Sequence, residues 1–503
     1  MEKFRVRFAP SPTGALHIGG VRTALFNYLL AKKNGGTFLI RVEDTDQTRF
    51  VEGAEEYIMK SLAWLGIMPT EGPNLGGNHA PYRQSERKAM YMKYALDLVA
   101  NGNAYYAFDS TEDLTAQREI AEKAGGKFQY GAATRHSLRN SLTLSAEETQ
   151  NLIAKGDFVI RMKIPTNVSV VVNDIIRGAV TVNTTELDDK VLMKADGMPT
   201  YHLANIVDDH EMEISHVIRG EEWLPSAAHH VLLYQFFGWE SPQFAHLSLI
   251  LKPDGNGKLS KRDGAKFGFP VFPIDWTAQG IIGFDGFGFD PKAVINFLAL
   301  LGWNSGTDQE IFSLEELVQA FSLEKINKSG ARFDFDKAKW FNQQYIKSTA
   351  NEDLAAAIRP EIAANGHQVS DAFLATFCGL MKERVVYTNE FWSKGAYFFE
   401  GVKVYDDETI KKRYKAENRS KYDIMLAKIA EIDDFKAVNI DIALKEFMTN
   451  EAMKPGDVLP IWRLALSGTM QGPDVMLMAE LLEKEETVKR LKTGLDYFDA
   501  LVK

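Results

Sequence analysis

The stretch Ala9-Pro10-Ser11-Pro12-Thr13-Gly14-Ala15-Leu16-His17-Ile18-Gly19-Gly20 constrains this 503-residue chain more than any other. Ahead of it, Phe4-Arg5-Val6-Arg7-Phe8 alternates apolar and charged residues, the period of a strand. Behind it, Val21, Ala24, Leu25, Tyr28 and Leu29 share one helical face, and Asn34-Gly35-Gly36 supplies a stop. The stretch is a strand-to-helix crossing, with two prolines setting the turn and glycines at the helix start. A helix N-terminus presents free N–H groups and positive dipole character, which suits phosphate. Gly19 and Gly20 leave the backbone bare, so a flat base or sugar can lie against it. His17 stands where it can donate to a phosphate oxygen; the alternative is a sharp turn with a packed histidine.

Thr37-Phe38-Leu39-Ile40-Arg41-Val42 reads as a second, buried strand that ends in Glu43-Asp44-Thr45-Asp46, and a helix follows over 52–65, closed by Gly66. Strand and helix in alternation predict a doubly wound parallel sheet, in which ligands bind at the carboxyl ends of the strands. That edge receives Arg7, Ser11 and Glu43. From 103 to 189 the rhythm changes: 158–164, 168–172 and 179–182 are β-rich, with Asp174 and Arg177-Gly178 between them, and an inserted domain splits the sheet. The sheet is expected to resume with 191–194, a turn at Asp196-Gly197, and Pro199-Thr200-Tyr201-His202. Next come a strand at 214–218, a helix through Gln235 and a last strand at 245–252. Asp208, Asp209 and His210 are adjacent in what reads as one loop, where neighbours rarely converge on one ion, so hydrogen-bonding roles are expected of them.

Lys258-Leu259-Ser260-Lys261-Arg262 follows the last strand between Gly255 and Gly257 and the Gly-, Phe- and Pro-rich segment 267–289. A loop of this kind can be a phosphate clamp that opens and closes, or a solvated basic loop. From Pro291 the pattern is helical, at 293–301, 314–321, 353–363, 372–386 and onward, with Phe333-Asp334-Phe335-Asp336 marking a boundary. Lys411, Lys412, Arg413, Lys415, Arg419 and Lys421 form the densest basic run. It is either a solvated helix face or, with Tyr414 and Tyr422 among the cations, a surface for stacking and phosphate contact with single-stranded RNA.

Bulk properties exclude several classes. A net charge of −10 argues against a uniformly basic polyanion binder, though local basic patches remain open. One cysteine, Cys378, permits no intrachain disulfide, which fits a reducing cytosol. No apolar run reaches membrane-spanning length, and Met1-Glu2-Lys3-Phe4 leads straight into a strand, so neither a membrane segment nor a signal peptide is expected.

The 9–20 and 258–262 stretches resemble the HIGH and KMSKS signatures of class I aminoacyl-tRNA synthetases. Further matches at 7–20, 26–46, 194–223, 244–264, 297–303, 332–345 and 462–473 make the chain resemble bacterial-type glutamyl-tRNA synthetases over nearly its whole length. Gly20 for the final His and Leu259 for Met are variations within that pattern.

The resemblance implies an α/β fold: a class I Rossmann-type doubly wound catalytic domain split by an inserted α+β domain and followed by an all-α anticodon-binding half. The implied domains are 1–102 and 190–252 (catalytic), 103–189 (inserted, acceptor-binding), 253–330 (KMSKS loop and stem contact) and 331–503 (helical, in two parts). It implies that ATP and L-glutamate give glutamyl-adenylate, and that glutamate then passes to the terminal ribose of tRNA-Glu, with bound tRNA generally required for the first step. His17, Lys258 and Lys261 are the implied catalytic residues. Ala9, Thr13, Gly19, Gly20 and Ser260 join them around ATP, with Mg²⁺ arriving on the nucleotide. Arg7, Ser11, Glu43, Tyr201 and Arg219 are the implied glutamate residues, and Arg463 the implied tRNA contact. A rival reading has Arg219 salt-bridged to Glu221 or Glu222 and Tyr201 simply packed. Some relatives carry a Cys/His zinc site where this chain reads Ala104-Tyr105-Tyr106-Ala107-Phe108, so no structural zinc is expected. A cytoplasmic monomer without membrane contact is implied. The alternatives are a form that also charges tRNA-Gln, a glutaminyl-tRNA synthetase, or another HIGH-motif nucleotidyltransferase.

Overall fold

A computed structural model describes residues 4–255 and 257–502. The reading of Met1-Glu2-Lys3 as a direct lead into a strand lies outside them. The chain divides into two compact units, one of 1–284 with 294–335, the other of 285–293 with 336–503.

In chain order the strands of the first unit are β1 (Arg5–Phe8), β2 (Thr37–Ile40), β3 (Ala104–Ala107), β4 (Val159–Met162), β5 (Ser169–Asp174), β6 (Gly178–Asn183), β7 (Val191–Met193), β8 (His216–Gly220), β9 (Gln243–Leu247), β10 (Ile250–Leu251) and β11 (Ala331–Arg332). Six of them form the main sheet in the order β2-β1-β8-β9-β5-β6. Its first four strands and β5 run parallel, and β6 returns antiparallel at the edge. Helix α1 (Ile18–Lys33) crosses from β1 to β2 and buries Val21, Ala24, Leu25 and Leu29 against the sheet.

The alternation in β1 does not mark a solvent face. Both of its arginines are buried, and each has a carboxylate: Arg5 forks onto Glu71 (3.0 and 2.9 Å), and Arg7 onto Asp209 (2.9 and 3.3 Å). Buried cations persist when paired in this way.

Four sequence expectations change. The hairpin β5–β6, expected in the insertion, extends the main sheet through the register Asp174 to Phe244. The main sheet does not resume at 191–194, because β7 pairs with β4 in a small antiparallel sheet β3-β4-β7. Thr200 ends that excursion as the N-cap of a helix, Tyr201–Glu211, which carries Asp208, Asp209 and His210; these lie in a helix, not a loop. The last strand stops at Leu247, and Ile250–Leu251 pairs instead with Ala331–Arg332. Short polar interruptions such as Ser248 do not show in an apolar count.

Among the described residues no helix is long and apolar enough to cross a membrane, and no group of three His, Cys, Asp or Glu side chains is placed to hold a metal. Asp208 and Asp209 are instead buried counter-ions, to Arg87 (2.7 Å) and to Arg7 and Arg41 (2.9 and 2.7 Å).

The long segment of the second unit is helical, from within Phe335–Ser348 to Val475–Val502, around a core that includes Phe377, Cys378, Tyr422, Trp462 and Phe498. The two tyrosines read as stacking partners for single-stranded RNA are not on the surface. Tyr414 and Tyr422 are buried and stacked on each other at 5.6 Å, and Arg419 is held by Asp423, Asp496 and Asp499.

Candidate active site

Strand β1 ends at Phe8, and the turn that follows is braced by its own backbone. Glu43 N–H donates to the Pro10 carbonyl (3.0 Å), and Val51 N–H to that of Pro12 (3.0 Å). His17 is the N-cap of α1, and its Nδ1 accepts from Gly19 N–H at 3.1 Å. Ile18 N–H donates to the carbonyl of Val271 (3.0 Å), and Gly20 N–H to that of His17 (2.8 Å). The first three N–H groups of α1 are therefore occupied, which corrects the expectation of free backbone donors for phosphate; the dipole remains, and the donor is the histidine. With Nδ1 accepting, the neutral ring carries its proton on Nε2, which is buried and has only a weak contact, with the Ser260 backbone, among the described residues. Burial, followed by the charges of Lys261 and Lys258, lowers its pKa to about 4, so the ring is neutral at physiological pH.

The 258–262 stretch reaches the same place. Gly14, at φ +126°, lies where an added Cβ would stand 3.5 Å from Lys261 Nζ. Leu259 is buried and anchors the stretch. Ser260 caps the helix Lys261–Phe267, its hydroxyl donating to Asp263 at 2.6 Å. Burial pulls the Lys261 ammonium below its ordinary value, and Lys258 pairs with Glu222 at 2.6 Å. The Phe-rich segment after it also has a place: Val271 holds α1 as described, and the Ile274 carbonyl accepts from Tyr57 OH (2.6 Å).

Arg7, Ala9, Ser11, His17, Gly19, Gly20, Glu43, Tyr201, Arg219, Lys258, Ser260 and Lys261 all line one cavity of about 550 Å³. Thr13 does not; it lines a smaller neighbouring cavity with Ser11, Glu43 and Tyr201. Arg463 lies in the second unit on the helix Pro455–Ser467, with Nη1 buried and unpartnered among the described residues, and burial lowers its pKa.

The cavity's charges are distributed unevenly. Glu43 accepts from Arg41 (3.2 Å) and Asn205 (3.3 Å), while burial pushes its carboxyl up against the pull of Arg41 and Arg7. Arg219, 5% exposed, has no carboxylate partner among the described residues. The rival salt bridges are not formed, because Glu221 pairs with Arg177 (2.5 Å) and Glu222 with Lys258. Arg219 donates only to neutral groups, from Nη1 to Tyr201 OH (2.7 Å) and from Nε to His246 Nε2 (3.0 Å), and its Nη2 is buried without a partner among the described residues. A buried cation balanced by no anion is a site for one.

Sequence reasoning missed Asn205 and Arg22, and weighed Glu222 only as a partner for Arg219. Asn205 stands four residues after Tyr201, so reading Thr200 as a helix cap would have put both on one face. Arg22 is buried on α1 and donates to the carbonyls of Leu301 (2.8 Å) and Ser248, which fixes the cavity floor.

Residues 3–340 match the family described as tRNA synthetases class I (E and Q), catalytic domain, and residues 350–495 match the anticodon binding domain. The chain is 53% identical to a glutamate–tRNA ligase of Flavobacterium psychrophilum over 98% of this chain and 99% of that one. It is 51% identical to one of Bacteroides thetaiotaomicron, covering 98% and 99%. A crystal structure of a glutamate tRNA ligase from Elizabethkingia meningosepticum in complex with its amino acid superposes with a TM-score of 0.95 at 48% identity, covering 98% and 99% of the two chains.

Proposed function

The chain belongs to the class I tRNA synthetases of the glutamate and glutamine type, and we propose that it activates glutamate with ATP and ligates it to tRNA-Glu. The observation that carries the choice of amino acid is Arg219, a buried guanidinium whose protein partners are all neutral. A glutamate side-chain carboxylate supplies the missing anion through a charge-assisted hydrogen bond, which the amide of glutamine cannot match. Arg7, steadied by Asp209, adds a second cation, while Glu43 and Asn205 face the substrate ammonium and Ser11 and Tyr201 complete the pocket.

In the first step an α-carboxylate oxygen of glutamate attacks the α-phosphorus of ATP in line. The new P–O bond forms as the bond to pyrophosphate breaks. His17 donates its Nε2 proton in a hydrogen bond to a phosphate oxygen without transferring it. Lys258 and Lys261 balance the charge that grows on pyrophosphate, and Ala9, Gly19, Gly20 and Ser260 bound the nucleotide, with Thr13 in the smaller cavity beside them. Both cavity carboxylates already hold protein partners, so Mg²⁺ fits as the companion of ATP, carried by phosphate oxygens and water. In the second step the 2′-hydroxyl oxygen of the tRNA's terminal ribose attacks the activated carbonyl carbon, the bond from that carbon to the phosphate oxygen breaks, and the hydroxyl proton leaves with AMP. No enzyme nucleophile takes part. Arg463 and the helical unit serve the anticodon, and residues 103–189 the acceptor end. A monomer in the cytoplasm completes the reading.

The test is acylation by labelled glutamate and ATP of purified tRNA-Glu and tRNA-Gln in separate reactions. Charging of tRNA-Glu alone supports the proposal. Charging of tRNA-Gln as well shows the broader specificity, and charging of neither refutes the reading.

A further inference from the structure

Asp174 closes the hairpin β5–β6, far in sequence from every motif of the active site, yet the register of β5 beside β9 brings it against His246. Its Oδ1 accepts from Ile176 N–H (2.9 Å) and Arg177 N–H (2.7 Å), which pins the carboxylate in its own turn. Its Oδ2 accepts from His246 twice, from the backbone N–H at 3.0 Å and from Nδ1 at 2.6 Å. The side chains of Asp174 and His246 are both fully buried. On its other edge, His246 Nε2 meets Arg219 Nε at 3.0 Å.

A carboxylate only accepts, so Nδ1 must carry a proton. A guanidinium only donates, so Nε2 must offer a lone pair. Both demands are met by one species, the neutral ring protonated on Nδ1. Burial keeps this ring below its ordinary pKa, against the pull of Asp174.

We propose that Asp174 and His246 are positioning residues for amino-acid selection: Asp174 fixes the His246 tautomer, and His246 in turn orients Arg219 without neutralising it. The inference rests on the reading of Arg219 as the receptor for the glutamate side chain. A carboxylate placed directly on the guanidinium would orient it equally well, but would also satisfy the charge meant for substrate. An imidazole interposed between the two keeps the geometry and leaves the charge for the ligand. The arginine loses less side-chain freedom when substrate binds, because its fork is already aimed. His230, whose Nδ1 lies 3.2 Å from Arg219 Nη1, and Tyr201 complete a shell of neutral acceptors on the same cation.

Asp174→Asn reverses the polarity of the relay. The amide can keep its oxygen on Ile176 and Arg177 while turning an N–H donor toward Nδ1. The ring must then accept at Nδ1 and carry its proton on Nε2, pointing at another donor, Arg219 Nε. The same logic makes an asparagine in place of a catalytic-triad aspartate select the wrong tautomer. Steady-state acylation of tRNA-Glu by the full chain should show KM for glutamate raised about 10- to 100-fold, with KM for ATP within about threefold of wild type. The preference for glutamate over glutamine should fall by a similar factor. His246→Gln, a neutral side chain able to donate and accept at once, should recover most of the loss. If Asp174→Asn does not fold, His246→Leu carries the test, since it fills the space but accepts nothing, and it should show the same split. An unchanged KM for glutamate, a parallel rise for glutamate and ATP, or a His246→Gln variant no better than His246→Leu overturns the proposal. Failure of the wild-type chain to charge tRNA with glutamate overturns the reading beneath it, and that result is visible before any variant is made.

Discussion

Arg219→Ala isolates the buried charge to which the proposed choice of amino acid is assigned. In the folded chain Arg219 lines the cavity, its guanidinium is 5% exposed and bonded to Tyr201 and His246, and its Nη2 is buried without a partner among the described residues. Removing one member of a buried ion pair costs about 3–5 kcal/mol, because the other charge is left without compensation. At about 1.4 kcal/mol per decade, kcat/KM for glutamate should fall roughly 10²- to 4 × 10³-fold. ATP makes no use of this side chain in the proposed arrangement, so KM for ATP should stay within about threefold, the size of an indirect effect at a neighbouring site. Arg219→Lys keeps the charge but loses the fork and the Nε contact to His246, and should fall between alanine and wild type. Steady-state acylation with glutamate and ATP varied in turn reads the split, and circular dichroism with a thermal melt checks that each variant is folded. Equal losses for both substrates in a folded variant would refute the reasoning and make Arg219 a structural residue.

Lys261→Ala should slow adenylate formation by about 10²-fold or more, the scale of losing one preorganised charge stabiliser, measured by pyrophosphate exchange with tRNA present; an unchanged rate removes it from the catalytic set. His17→Asn keeps a good helix cap but loses the Nε2 donor, so kcat should fall at least tenfold while the melting temperature changes little; loss of stability with kcat preserved would make His17 a cap alone. Buried neutral histidines also set an acid response. The folded pKa of His17 is about 4 against an ordinary 6.5, so between those values the unfolded chain binds a proton that the folded chain does not. Stability from this group is therefore complete above pH 6.5 and is lost as the pH falls toward 4, by about 3 kcal/mol at most for a shift of that size. Urea midpoints of the wild type should drop between pH 7 and 4.5, less so in His17→Asn; equal drops in the two proteins would contradict the assignment.

The turn and the basic loop were legible as candidates because their chemistry is local: prolines, glycines, a histidine and two lysines at fixed spacing single them out before any fold is known, and the structure brings both to one cavity. Arg7 and Glu43 were legible because strand ends in a parallel sheet face one edge. What the sequence hid depends on distant pairing. Nothing near Asp174 signals that its hairpin joins the main sheet beside β9, since 168–182 looks the same whichever sheet accepts it. Tyr414 and Tyr422 read as exposed because lysines surround them, yet both rings are core, with their hydroxyls on Asp499 and the Asp457 carbonyl. The Ile18 N–H at the start of α1 looked free because its acceptor, the Val271 carbonyl, lies about 250 residues away, while those of Gly19 and Gly20 are taken up by His17 itself.

The most direct measurement is kcat/KM of the wild-type chain for glutamate against glutamine on the same tRNA-Glu. A buried guanidinium without a carboxylate partner at the proposed side-chain subsite predicts a preference for glutamate of about 10³-fold or more, since glutamine leaves that charge uncompensated. Comparable charging with glutamine would contradict the account at its centre, because Arg219 would then be reading something other than a carboxylate.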